Sequence, residues 1–294
     1  MNLIIDTNSL TGPSEYVLSP GALFGLKTLA TNGYLLSWDN SGLSANQKTL
    51  LDNEGIENSN FEKGDGRIRK KESSLIFETN DKIIEQKSGW PALCEAILFP
   101  TRTASIERNT KETKISARIN LDGSGKSDIS TGLHFFDHML DQIARHGLID
   151  LKLICKGDIE VDEHHTIEDT AIALGEVIRK AVSKNKAGIQ RYGFVLPMDE
   201  AQATVALDLS DRPFLRWDVD LNREYIGDFP TEMLEHFFYS LAMNAKATLH
   251  VRADGKNEHH IVESIFKGFA KALRFSISRT ERTKGILPTT KGMI

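Results

Sequence analysis

Several things are scarce in this chain of 294 residues. Cysteine occurs twice, at Cys94 and Cys155, far apart and with no C-x-x-C pair. That excludes a disulfide framework or a cysteine-based zinc site and fits reduced thiols, although one bridge between the two remains open. Excess positive charge is lacking: 36 Lys and Arg stand against 41 Asp and Glu, a net charge of −5. A nucleic-acid partner, which needs a basic field, is not expected. No apolar run approaches the roughly 20 residues of a membrane span. The opening Met1-Asn2-Leu3-Ile4-Ile5-Asp6 has no basic n-region or long apolar core, so no signal peptide is expected. A soluble, cytoplasmic protein follows as the expectation. Composition is otherwise that of an ordinary globular chain, 40% hydrophobic and 26% charged, long enough for one large or two ordinary domains.

Against this background nine histidines are unevenly spread. Glu163-His164-His165-Thr166-Ile167-Glu168 and Glu258-His259-His260-Ile261-Val262-Glu263 both read acid-His-His-x-x-Glu. Each is preceded by a lone His after an acid, Asp137-His138 and Glu235-His236, at separations of 26 and 23 residues. The pattern is an internal repeat whose shared content is metal-ligand chemistry. On a helix, His164 and Glu168 are i,i+4, and His165 and Glu168 are i,i+3. Adjacent histidines differ by about 100° around the axis, so one pair can lean toward two metals. Six His and two Glu (His138, His164, His165, Glu168, His236, His259, His260 and Glu263) suit two first-row divalent ions, each with three imidazoles and one carboxylate. Mn²⁺, Fe²⁺ and Zn²⁺ are not separable on ligand type. The flanking acids Asp137, Glu163, Asp169, Glu235 and Glu258 are expected to orient ring nitrogens. His134 and His250 read as structural. Arg191, Arg212, Lys267 and Lys291 suggest an anionic substrate, because guanidinium forks and ammonium groups bind phosphate.

Periodicity places these residues on elements. Residues 2–6 read as a buried strand, 20–31 as a helix and 34–38 as a second strand, a β-α-β start that favours a parallel sheet. Residues 44–53 read as a helix, 54–74 as a solvated polar loop, 75–77 as a strand and 91–98 as a helix. This segment, to about residue 102, is small for an independent α/β domain. Beyond it, 104–108 and 113–119 alternate as half-exposed strands, Asp122-Gly123-Ser124-Gly125 reads as a hairpin turn, and 134–144 as a helix. A strand at 150–156 and a helix at 165–183 follow. Strands at 202–208 and 214–220, a helix at 231–245, a strand at 246–253 and a helix to about 277 repeat the order. Halves at about 104–190 and 191–294 therefore form an α+β sandwich, with sheet faces on one side and helices on the other. The tail Pro288-Thr289-Thr290-Lys291-Gly292 is expected to order on binding.

Phe135-Phe136-Asp137-His138-Met139-Leu140-Asp141-Gln142, Asp162 to Asp169, Pro197-Met198-Asp199-Glu200, Ser210-Asp211-Arg212-Pro213 and Gly255-Lys256-Asn257-Glu258-His259-His260 resemble imidazoleglycerol-phosphate dehydratase. So does Asn109-Thr110-Lys111-Glu112-Thr113, and the likeness covers about residues 104–294. The resemblance implies a hydro-lyase of histidine biosynthesis that converts D-erythro-imidazole-glycerol phosphate to imidazole-acetol phosphate through a metal-bound imidazolate. It implies a duplicated fold akin to the second domain of ribosomal protein S5, and two Mn²⁺ per site. It also implies trimers assembled into a homo-oligomeric shell of twenty-four subunits, with sites built between subunits. By the same likeness the eight His and Glu named above are metal ligands. Glu112, Gln142, His146, Arg191, Arg212, Lys267, Thr289, Thr290 and Lys291 match or lie beside substrate contacts, and Glu168, Glu112 and His138 form the catalytic set. The family's Gly-Arg-Pro is Asp211-Arg212-Pro213 here, which puts an extra carboxylate near a phosphate site.

Leu3-Ile4-Ile5-Asp6-Thr7-Asn8-Ser9-Leu10 resembles the first motif of haloacid-dehalogenase-type phosphatases, a kind of domain that some bacteria fuse to this dehydratase. Asn8 replaces the second Asp, Ser9-Leu10 replaces Gly-Thr, and Trp38 stands where Thr or Ser is expected. Residues 1–102 are thus expected to be a degenerate, inactive α/β remnant. A bifunctional enzyme using Asp6, and a metal-storage assembly without catalysis, are the other readings.

Overall fold

A computed structural model describes all residues except 81, 184–185, 281, 284–285, 288 and 291–294. The chain forms two compact units, Met1–Pro100 and Thr101–Ile294.

The first unit contains β1 (Asn2–Ile5), α1 (Thr7–Leu10), α2 (Ala22–Thr31), β2 (Leu35–Trp38), α3 (Ala45–Asn53), β3 (Gly66–Lys71), β4 (Ser74–Thr79), β5 (Lys82–Lys87) and α4 (Trp90–Leu98). Its sheet runs β2-β1-β3-β4-β5, with β1 parallel to both β2 and β3. Small as it is, it has its own core, including Leu3, Ile5, Leu26, Ile68, Trp90 and Leu93. The expected polar loop at 54–74 is corrected. β3 lies within it, with Gly66 and Ile68 turned inward and the basic side chains turned outward. One inward Ile among Arg and Lys is too little apolar signal to mark a strand. β5 also escaped notice, because its exposed Ile83 and Ile84 lie on an edge and do not alternate.

The second unit repeats one pattern. Its first half is β6 (Thr103–Asn109), β7 (Thr113–Asn120), β8 (Ser127–Ser130), α5 (His134–Gly147), β9 (Asp150–Gly157) and α6 (Glu163–Val182). Its second half is β10 (Tyr192–Met198), β11 (Ala201–Asp208), β12 (Phe214–Val219), a short β13 (Tyr225–Ile226) and β14 (Phe229–Pro230) hairpin, α7 (Met233–Ala245), β15 (Thr248–Asp254) and α8 (Glu258–Ile277). The sheets have matching orders, β6-β7-β9-β8 and β10-β11-β15-β12, and each has one parallel pair bridged by a helix. The duplication is thus visible in strand order.

Strands β7 and β11 alternate buried and exposed, so each sheet buries one face. α6 lies on β6, β7 and β9, and α8 on β10, β11 and β15. α5 packs on α8, and α7 on α6. The halves therefore meet helix to helix with both sheets outermost, so the arrangement of sheets on one side and helices on the other holds only within each half. Gly175 sets the closeness of α6 to α7: a Cβ there would lie 2.6 Å from the Leu241 carbonyl oxygen. The expected hairpin at Asp122–Gly125 is also corrected. Asp150 accepts hydrogen bonds from the Ser124 and Lys126 amides, and β8 then pairs in parallel with β9. β10 was missed because Gly193 and Pro197 interrupt it, which an edge strand tolerates.

Candidate metal and substrate site

The helices that carry the His pairs begin alike. Asp162 accepts a hydrogen bond from the His164 amide, and Asn257 accepts one from the His259 amide. Each is an N-cap that satisfies an orphan donor and fixes where the first turn starts. The His pair then occupies the first turn of α6 or α8, with the carboxylate one turn on.

The packing of α5 on α8 and α7 on α6 crosses the lone histidines over. His236, from the second half, meets His164 and Glu168 of the first: His236 Nε2 is 3.2 Å from Glu168 Oε1, and His164 Nε2 is 3.5 Å from Oε2. One ligand atom from each of these residues lies within 4.8 Å of the others. His138 Nε2, from the first half, is 3.9 Å from Glu263 Oε1 of the second, and His259 Nε2 is 3.2 Å from the other oxygen, Oε2. Each cluster thus draws on both halves, a pairing that sequence order conceals. His236 Nε2 is buried, and despite its closeness to Glu168 it makes no hydrogen bond. A buried imidazole nitrogen left unpaired, facing a carboxylate and a second imidazole, fits a divalent cation.

The second His of each pair turns elsewhere. His165 Nδ1 is 3.1 Å from Asp158, and its Nε2 is 3.9 Å from Glu112. His260 Nδ1 is 2.9 Å from Glu200, and its Nε2 is 3.8 Å from Asp199. The carboxylate bonds raise both imidazoles above their ordinary range, and the His260 bond holds Glu200 down at about 2. Gly157 permits the first arrangement, since a Cβ there would sit 2.0 Å from Thr166 Oγ1 and push the Asp158 turn away. The anchoring acids are therefore Asp158 and Glu200, not the flanking ones. Asp137 accepts from Thr131, Glu163 from Tyr225, Asp169 from Thr113 and Arg108, and Glu258 from the Asn222 and Arg223 amides. Glu235 is exposed. The signal for Asp158 was present as Gly157-Asp158, which reads locally as a turn.

Of the expected substrate residues, Gln142, His146 and Lys267 gather with the second cluster. His138, Gln142 and His146 succeed one another by a turn on α5, as His259, Glu263 and Lys267 do on α8. Gln142 is buried, with Nε2 at 3.2 Å from the His138 carbonyl, to which it donates. Burial, together with the nearby Lys267 and Lys271 ammonium groups, lowers His146. Burial pushes Glu263 up, but Lys267, 2.8 Å away, outweighs it, so its carboxyl lies below the ordinary range.

Arg191 and Arg212 converge on Asp208, at 2.7 and 3.5 Å. They lie at the far end of β10 from Met198, whose sulfur is 4.0 Å from Lys267. Seven strand residues separate the ends by roughly 23 Å, so one chain does not bring these arginines to its own clusters. Asp211 pairs with Lys186 and Arg179. Its φ of +58° is the left-handed region that favours Gly and admits Asp. Thr289 is half-buried and Thr290 exposed, whereas Lys291 lies outside the described residues. Cys94 and Cys155 are free, buried and in different units, with thiols pushed up to about 12 and about 11. In the first unit, Asp6 follows β1, and its Oδ1 is 3.6 Å from Arg67 Nε. Among the described residues, no helix is long and apolar enough to cross a membrane.

Fold and clusters together define a class: a duplicated α+β protein whose halves exchange histidines to build two sites of metal-ligating composition. Comparisons with known proteins narrow this. The family model for imidazoleglycerol-phosphate dehydratase matches residues 131–273. The chain is 53% identical over 195 residues to imidazoleglycerol-phosphate dehydratase of Clostridium acetobutylicum, covering 66% of this chain and 98% of that protein. It is 51% identical over 222 residues to the histidine biosynthesis bifunctional protein HisB of Spirosoma linguale, covering 76% of this chain and 58% of that protein. The chain thus spans little more than half the length of these bifunctional relatives. The crystal structure of imidazoleglycerol-phosphate dehydratase from Staphylococcus aureus is similar at a TM-score of 0.55 and 32% identity, covering 60% of this chain and 99% of that one. The chain belongs to the imidazoleglycerol-phosphate dehydratase family.

Proposed function

We propose that the chain removes water from D-erythro-imidazole-glycerol phosphate to give imidazole-acetol phosphate, a step of histidine biosynthesis in the cytoplasm. The observation that carries this is the pair of exchanged clusters, His164–Glu168–His236 and His138–His259–Glu263, in a member of this family. Each cluster would hold one Mn²⁺, so that two serve the reaction. Bound there, the ions would favour loss of the substrate imidazole's N–H proton, so that the ring's electrons could push out the hydroxyl and the ring could then take up the charge left when the neighbouring C–H loses its proton.

The chain's own groups supply the rest. Each cluster offers two imidazoles and one carboxylate, one imidazole fewer than the expected set. His165 and His260, paired with Asp158 and Glu200, would supply it to a second copy. This supports a homo-oligomer, a shell of twenty-four subunits built from trimers, with sites between copies. Arg191 and Arg212, remote from their own clusters, would with Thr289, Thr290 and Lys291 hold the phosphate of a substrate bound at such a junction. Glu112, on the β6–β7 turn beside His165, would orient a chain hydroxyl, and Gln142 and His146 line the α5–α8 seam. Glu168 is the proposed base. His138 acts through the cluster it completes.

The N-terminal unit is read as a remnant without phosphatase activity. Asp6 faces a guanidinium, and Asn8 stands where an acid/base carboxylate is needed.

The test is a dehydration assay on the chain before and after chelation, with Mn²⁺ restored. Activity that is lost on chelation and returns with Mn²⁺ supports the reading. Its absence in the Mn²⁺-loaded protein overturns it and leaves the storage assembly.

A further inference from the structure

The duplication invites the assumption that the two clusters are equal, but their carboxylates are not. Glu168 and Glu263 hold matching places on α6 and α8. One turn on from Glu168 stands Ile172, and one turn on from Glu263 stands Lys267. The Lys267 ammonium is 2.8 Å from Glu263 Oε1, the oxygen that also faces His138 at 3.9 Å. No corresponding ammonium faces Glu168 among the described residues. Glu263 is 9% exposed and Glu168 is 37% exposed, so the lysine contact is also the less screened by water. An ion entering the second cluster must share that oxygen with a fixed positive charge.

His138 adds a second obstacle. The Gln142 amide donates to the His138 carbonyl at 3.2 Å, which fixes which end of the amide is nitrogen. Its other N–H then faces His138 Nδ1 at 3.4 Å. The ring is thus held beside a side-chain amide, and its Nε2 stands 3.9 Å from Glu263, farther than the 3.2 Å between His236 Nε2 and Glu168. In the first cluster, His236 Nε2 is buried and free of any hydrogen bond, and the three ligand atoms already lie within 4.8 Å of one another.

We propose that the two clusters are inequivalent: His164–Glu168–His236 is the tight divalent-cation site, and His138–His259–Glu263 is a weaker one whose carboxylate Lys267 holds in reserve. Lys267 is then a positioning residue, setting the second site's affinity through Glu263. This rests on the metal reading above. It makes the second ion the one that exchanges at limiting metal, while the first stays in place.

Titrating Mn²⁺ into the metal-free full chain, with free Mn²⁺ read from its electron paramagnetic resonance signal, tests this without reference to activity. Two classes of equal stoichiometry are expected, about tenfold apart, the factor that one charge-assisted hydrogen bond represents. Glu168→Gln removes the tight class. Lys267→Met tightens the weak class several-fold, and the reciprocal Ile172→Lys weakens the tight class, so the outcome does not hang on one variant folding. A single class, or a weak class that loosens in Lys267→Met, overturns the inequivalence and leaves the metal reading standing. No Mn²⁺ binding at all sinks the metal reading, and this inference with it.

Discussion

In the Thr101–Ile294 unit, every candidate ligating imidazole faces a carboxylate supplied by another turn, loop or half of the fold. In the Met1–Pro100 unit, the Asp6 carboxylate stands at the end of β1, and among the described residues its ion pair is with Arg67. The difference is one of redundancy. His164 depends on an Asp162 cap, a Glu168 one turn away and a His236 brought by the α6–α7 packing. These contacts come from a cap, from the next turn and from a second helix, so the site is held from several sides. The hydrogen bonds of Asp6 are backbone ones: its amide donates to the Ile68 carbonyl and its carbonyl accepts from Ser9. Its side chain is half exposed, and the β1–β2–β3 pairing it follows is held by Leu3, Ile5 and Ile68 whatever occupies position 6. A site woven into packing persists, whereas a site hung on the end of a strand can decay without cost to stability.

The largest expected effect tests the woven side. Glu168→Gln removes a carboxylate that faces two imidazoles while keeping the side chain's shape. Dehydratase turnover is expected to fall by at least about a hundredfold, with the melting temperature little changed, because this side chain is not in the core. Near-normal turnover would mean that the α6–α7 cluster is scaffold rather than site, and the contrast between the units would collapse.

A smaller effect sharpens it. Asp158→Ala and Glu200→Ala free the ring nitrogens of His165 and His260, and both backbones tolerate Ala. Support of this kind is worth on the order of tenfold in metal affinity. Each variant should therefore weaken Mn²⁺ binding about tenfold in the assembled protein while leaving circular dichroism unchanged. Unaltered binding in both would show that these rings take no part in the sites.

How much of this was legible follows from where each signal lies. The repeat, the α+β class and the eight candidate ligands were readable, because i,i+4 spacing on a capped helix is local. Which His joins which pair was not. His138 is close in sequence to His164 but in space belongs with His259 and Glu263, and only the packing of α5 on α8 decides that. Asp158 and Glu200 were hidden for a related reason. Both sit in turns, where an acid is expected on local grounds, and their partners are fixed by the approach of Gly157 to Thr166 and of the β10–β11 turn to α8. The basic stretch Arg67–Lys71 read as loop because a strand with one buried Ile carries almost no alternation. Whether Arg191 and Arg212 converge on the clusters was not readable from spacing, and strand β10 sets them at its far end, roughly 23 Å along the strand from Met198.

The smallest expected effect is none, and it is the sharpest test of the other side of the comparison. Phosphate-ester hydrolysis on an aspartate needs a free carboxylate to attack, a cation to neutralise the phosphate, and an acid to protonate the leaving group. Asp6 is the one element of that set retained. Arg67 lies 3.6 Å from Oδ1, where its positive charge makes the carboxylate a weaker nucleophile. Asn8 cannot carry a proton to a leaving group, and the nearby Asp39 is committed to capping Ser41 with both oxygens. Histidinol phosphate incubated with the full chain and Mg²⁺ should therefore release phosphate at the blank rate, and Asp6→Ala should leave both that rate and the dehydratase turnover unchanged. Hydrolysis above blank that disappears in Asp6→Ala would mean that the first unit keeps a working site, and that a lone aspartate at a strand end had been preserved by selection rather than left behind.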